Sequence, residues 1–91
     1  MAFNVTEVID GDTFDVSPGW KLDSGATGNR VRIANFDAAE SNEWGGKSAT
    51  QKLKDLIGNK NVELKKVVNI DRGRLVCDVY LDGRDIKNRL N

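Results

Sequence analysis

The 91-residue chain contains no histidine. That removes the commonest general base and the commonest zinc ligand, so histidine-dependent hydrolysis is excluded. A single cysteine, Cys77, cannot form an internal disulfide. It sits in an apolar, strand-like run, where a buried and inert thiol is expected. No stretch is long and apolar enough to span a bilayer, so no membrane association is expected. The first residues alternate like a strand, and no signal peptide is expected there. A mature secreted form could have lost one, so the compartment stays open. Net charge is also missing: 14 basic residues balance 14 acidic ones, which argues against generic nucleic-acid affinity.

What is present bounds the fold. Ninety-one residues make one domain, and a chain of this size buries roughly 60–65% of its surface on folding. Charge is unevenly spread along it. Residues 1–45 carry three bases against eight acids, and residues 46–91 carry eleven against six, giving −5 and +5. Such asymmetry points to a polyanion partner if folding keeps the halves apart, and to nothing if folding interleaves them.

Residues 3–9 are β-branched and read as a strand. Asp10-Gly11 is a turn signal, and a second strand follows from Thr13 to Val16. Residues 17–29 hold Pro18, Gly19, Gly25 and Gly28, which predicts a long loop or a loosely paired hairpin. Residues 30–36 read as a third strand, with Val31 and Ile33 on one face and Arg32 on the other. Asp37 is expected to end it. Residues 47–57 have helical periodicity, with Ala49, Leu53, Leu56 and Ile57 on one side and Gly58 as the stop. Residues 61–70 and 75–81 read as the fourth and fifth strands, with Asp82-Gly83 as a turn. Residues 85–90 begin like a helix. Three strands, a helix and two strands predict an α+β, mainly β domain: a small five-stranded antiparallel barrel on the oligonucleotide-binding plan, the helix lying between strands 3 and 4. A small open α+β sandwich is the alternative.

Candidate site residues lie at the ends of these strands. Asp12 opens one, Arg32 lies within another, Asp37 ends it, and Glu40 follows three residues later in R-I-A-N-F-D-A-A-E. Arg74 begins a fifth in D-R-G-R. Each has a bland explanation, since D-G is a common turn and a strand arginine usually lies on the surface. Together they form a phosphodiesterase inventory. Asp12 and Asp37 offer hard oxygen ligands for Ca²⁺, with Mg²⁺ or Mn²⁺ as alternatives. Glu40 can take a proton from water. Arg32 and Arg74 can clamp phosphate oxygens and stabilise transition-state charge. Trp20 and Trp44 are expected in loops, covering core edges more readily than stacking on bases. Tyr80 reads as core.

With these residues in view, the chain resembles the staphylococcal (thermo-, micrococcal) nuclease family over nearly its whole length. V-I-D-G-D-T-F resembles the family's first motif and R-I-A-N-F-D-A-A-E its second. G-G-K-S-A-T-Q-K-L-K-D-L-I resembles its first helix, and G-R-L-V-C-D-V-Y-L-D-G its glycine-arginine strand. The resemblance implies a five-stranded barrel and Ca²⁺-dependent hydrolysis of single-stranded DNA or RNA to 3′-phosphate products, often by secreted proteins. It implies Asp12 and Asp37 as metal ligands with the Ala38 carbonyl as a third, and Glu40 as base and as a ligand through water. Arg32 and Arg74 become the catalytic arginines, with Arg72 and Lys47 as further substrate contacts. The chain departs from the pattern in having Ala39 where proline precedes the glutamate, and in a longer 17–29 segment. D-R-G-R is one residue shorter than the usual run and lacks its tyrosine. The family's further C-terminal helix is absent, so a short member or a piece of a longer protein is expected. A monomer is expected, or a dimer if that absence bares a surface. The rival readings are a non-catalytic oligonucleotide-binding barrel and a protein-interaction module on the same fold.

Overall fold

The computed structural model describes residues 2–37 and 45–90. Strand β1 (Ala2–Asp10) turns through Gly11-Asp12 into β2 (Thr13–Lys21), and β3 (Thr27–Ile33) follows. Helix α1 (Gly46–Ile57) leads to β4 (Asn61–Asp71) and β5 (Arg74–Leu81). A two-residue β6 (Arg84–Asp85) and the short α2 (Lys87–Leu90) complete the described chain.

The strands run in the order β3-β2-β1-β4-β5-β6, and β3 also pairs with β5, which closes the five long strands into a barrel. That closing ladder is parallel, Arg30 to Ile33 lying beside Arg74 to Cys77, while the other pairings are antiparallel. Closure follows from side-chain alternation: Val31, Ile33, Leu75, Cys77 and Val79 all point into one core with Val5, Phe14 and Val62. Helix α1 lays Leu53 and Ile57, both fully buried, across that core, and Ala49 and Leu56 flank them half-buried. Gly58 stops the helix by close approach rather than by a left-handed backbone. Its N–H donates to the Lys54 carbonyl at 2.8 Å, and a Cβ there would meet that oxygen at 2.5 Å.

Several expectations need correction: the end of β2, the place of Trp20, the end of β3, the place of Asp12 and the burial of Tyr80. Of the two readings of residues 17–29 the hairpin holds, with β2 running past Val16 to Lys21 and pairing with β3 through Trp20–Gly28 and Lys21–Thr27. Trp20 therefore lies in a strand, 3% exposed, and its indole packs where a Gly28 side chain would stand. The pairing is interrupted between Asp15 and Trp20, around Pro18, which has no N–H to give a ladder. Strand β3 ends at Ile33 rather than Phe36, because Asn35 adopts φ 55 and turns the chain. Asp37 thus stands four residues past the strand. Asp12 lies in the β1–β2 turn, one residue before β2. Tyr80 is only half-buried, with the Lys65 ammonium 4.8 Å from its ring centre.

Cys77 behaves as expected: it is fully buried, and burial, aided by Asp78, pushes its thiol up to about 12. Trp44 lies outside the described residues. No helix among the described residues is long and apolar enough to cross a membrane. Round the barrel the strands of the acidic half, β1 to β3, are neighbours, as are β4 and β5 of the basic half, and the two sets meet at the β1–β4 and β3–β5 ladders.

Candidate functional site

The ladders that close the barrel also build an outward face. Buried Val31, Ile33, Leu75 and Cys77 fill the inside, so their neighbours Arg30, Arg32 and Arg74 stand outside on β3 and β5. Thr13 and Asp15 of β2 are register partners of Arg32 and Arg30. One surface therefore gathers residues that are far apart in sequence.

Arg32 lies at the centre of this face. Its Nη2 donates to Asp37 Oδ1 at 3.1 Å and lies 3.5 Å from Asp12 Oδ2. Asp12 reaches it from the β1–β2 turn, where its backbone carbonyl accepts the Ile33 N–H at 2.9 Å. A second bond holds the carboxylate: the Thr13 hydroxyl donates to Asp12 Oδ1 at 2.8 Å. Asp12 is thus built into the barrel end, its side chain 14% exposed, whereas Asp37 is 99% exposed beyond the Asn35 turn. Two of the three predicted acids, Asp12 and Asp37, are brought to one of the two predicted arginines.

Arg74 opens β5 on the same face. Its Nη2 donates to Asp71 Oδ2 at 2.8 Å and its Nε to the Asp71 carbonyl at 3.2 Å, across the tight turn Arg72-Gly73. Both turn residues have positive φ, 54 and 79, so Arg72 sits exposed at the hairpin tip. Lys47 is exposed in the first turn of α1, and no described contact ties it to the arginine face. Glu40 and Ala38 lie outside the described residues.

The sequence reading did not select Arg30. Its register partner is Arg74 on one side and Asp15 on the other. Its Nε and Nη2 donate to the two oxygens of Asp15 at 2.9 and 3.2 Å, and this bond raises its already high pKa. The Trp20 indole N–H donates to the Arg30 carbonyl at 2.9 Å, so the extended hairpin braces this stretch of β3. The signal was the alternation Arg30-Val31-Arg32, which puts both arginines on one face of any strand.

Lys87 braces the other end of the site. Its Nζ donates to Asp78 Oδ1 at 3.0 Å and to the Ala34 carbonyl at 3.2 Å, with Asp85 Oδ2 at 3.7 Å. The hydrogen bond to Asp78 raises its pKa, with Asp85 adding to the rise against the cost of burial. Ala34 is also held by its own N–H, which donates to the Cys77 carbonyl at 2.8 Å. Helix α2 is thereby tied to the point where the chain leaves β3 for Asp37.

A divalent ion is chemically compatible with this corner. Asp12 and Asp37 supply hard oxygens that already converge on a single nitrogen, so both carboxylates reach a common point. Among the described residues no group of three potential ligands occurs. The remaining expected oxygens, those of Ala38 and Glu40, lie outside the described residues.

No family model matches the chain. Two curated proteins, one from Escherichia coli O157:H7 and one from Escherichia coli, each named an uncharacterized endonuclease, are 31% identical to it over 83 residues. The matched region is 90% of this chain and 50% of each relative, so the chain spans about half the length of the curated relatives it matches. At that coarse level the likeness is to nuclease-named proteins.

Proposed function

We propose that this chain is a metal-dependent nuclease domain of the staphylococcal nuclease kind, hydrolysing phosphodiester bonds in single-stranded DNA or RNA. The observation that carries the reading is the convergence of Asp12, Arg32 and Asp37 at one end of the barrel, with Arg74 on the neighbouring strand. The nuclease-named relatives support it independently.

Asp12 and Asp37 would hold a Ca²⁺ ion, joined by the Ala38 carbonyl and by Glu40 through water. Bound there, the ion supplies positive charge against the phosphodiester and a site for the attacking water. The protein's own groups do the rest. Arg32 and Arg74 approach from adjacent strands and grip non-bridging oxygens, where negative charge grows as the water adds. Arg32 is paired with the two acids. An ion held by those carboxylates would leave the Arg32 donors for phosphate. Glu40 accepts the proton of the attacking water. Arg72, at the hairpin tip, and Lys47 extend the contacts to the polyanion.

A fluorescence-quenched single-stranded DNA assay tests this, run with Ca²⁺ and with excess chelator on wild type and Glu40→Gln. Cleavage is expected with Ca²⁺ only, and Glu40→Gln should lose roughly 10²–10⁴-fold in rate while keeping most of its DNA affinity. Wild-type cleavage by the variant would remove Glu40 from the role. Binding without cleavage by folded wild type would leave an oligonucleotide-binding barrel in place of an enzyme.

A further inference from the structure

The arginine face carries one more cation than the proposed reaction uses. Arg30 lies directly beside Arg74 in the parallel β3–β5 ladder. Like charges opposite one another on neighbouring strands are unfavourable. Each is paired with an acid, Arg30 with Asp15 and Arg74 with Asp71, and in both the Nε and Nη2 donors make the contact; Glu7 and Asp10 add weaker attraction at Arg30. That shared geometry turns the Nη1 edge of each guanidinium away from its acid. Arg30 remains 46% exposed, while its acid is only 14% exposed, so the cation rather than the anion faces solvent. Its backbone is held by the bond from Trp20. Arg30 and Arg32 are two strand residues apart on one face, about 6.6 Å along the strand. That separation is comparable to the distance between neighbouring phosphates of an extended single strand.

We propose that Arg30 forms a second phosphate subsite, holding the phosphate next to the one gripped by Arg32 and Arg74. It lies on the side away from Asp12 and Asp37. Asp15 orients its guanidinium and tempers its attraction for the polyanion. The inference rests on the nucleic-acid reading above and extends it from one phosphate to two. The competing explanation is a cross-strand ion pair that only stabilises the β2–β3 hairpin.

The two explanations differ for Asp15. Binding of a fluorescein-labelled oligothymidylate is measured across a salt series, with chelator present to prevent cleavage, for wild type, Arg30→Ala, Arg30→Lys and Asp15→Asn. Arg30→Ala should weaken binding roughly tenfold at low salt and lower the magnitude of the log K against log salt slope by about 0.7, the loss of one phosphate contact on a single strand. Arg30→Lys should keep the slope and bind less tightly, because the charge stays and the fork is lost. Asp15→Asn should bind more tightly than wild type. Wild-type affinity and slope in Arg30→Ala, with Arg30→Ala and Asp15→Asn both melting at lower temperature, would overturn the subsite and leave the ion pair. Cleaving wild type beside such an Arg30→Ala result would sink this inference alone. Wild type that neither binds nor cleaves would sink the nuclease reading with it.

Discussion

The two halves of the candidate site are mounted differently. The arginines stand on strands. Arg30, Arg32 and Arg74 are locked in register by the β2–β3 and β3–β5 ladders, over a core of fully or nearly fully buried residues. The acids stand where strands end. Asp12 sits in a turn and Asp37 beyond one, and Asp37 is almost wholly exposed. Regular hydrogen bonding fixes the arginine side to the barrel. The acid side depends on a few individual bonds: Thr13 to Asp12, Ile33 to Asp12, and Lys87 to Ala34. A barrel can therefore keep its arginine face while its acid corner is retuned.

Between the strand-borne arginines and the two turn-borne acids, removing an arginine should have the larger effect. Arg74→Ala is expected to lose about 10²–10³-fold in cleavage rate and also phosphate affinity, as loss of a transition-state donor does. Arg32→Ala should lose at least as much rate in steady-state cleavage. It should also leave Asp12 and Asp37 without their cation, so Ca²⁺ would bind it more tightly than wild type. Equal Ca²⁺ affinities would break the idea that Arg32 and the ion compete for the same carboxylates.

The acid side can be read without any substrate. At a hundredfold excess over its dissociation constant, Ca²⁺ should stabilise wild type by about 2.7 kcal/mol in thermal melts. Asp12→Asn should abolish that gain, because the built-in carboxylate is lost, and Asp37→Asn should reduce it. A shift that survives in both variants would place the ion elsewhere.

The smallest effect concerns the brace. Lys87→Met removes charge-assisted bonds to Asp78 and Ala34 and should cost about 1–2 kcal/mol in denaturant unfolding. It should also weaken Ca²⁺ binding, which a purely structural loss would not do, and Lys87→Arg should restore part of both. Lys87 has a folded pKa above its ordinary 10.5, because its charge is held chiefly by Asp78. Its contribution is complete at neutral pH, below the unfolded value. It is lost as pH rises through the higher folded value. Alkaline melts of Lys87→Met should therefore fall less steeply above about pH 10.5 than those of wild type.

Much of this was written in local patterning. Val31 and Ile33 alternate with Arg32, so any strand through them buries two and exposes the third. Asp10-Gly11 and Asp82-Gly83 mark turns in any fold, and the apolar stripe of residues 47–57 makes a helix with one buried side. These are properties of neighbours in sequence, with periods set by backbone geometry. From them the barrel plan, the arginine face and the acids beside it were legible.

The rest depended on contacts between distant residues. Gly28 looks like a loop residue until Trp20 packs over it and turns residues 17–29 into a hairpin. Asn35 ends β3 three residues earlier than the alternation suggests, and only there can Lys87 reach the Ala34 carbonyl, 53 residues away in sequence. Arg30 reads as an ordinary surface arginine until the closing parallel ladder sets it against Arg74. The sequence by itself determined which side chains share a face, because alternation is local. Only the tertiary structure decided which faces meet, because register between distant strands is chosen by how one common core packs.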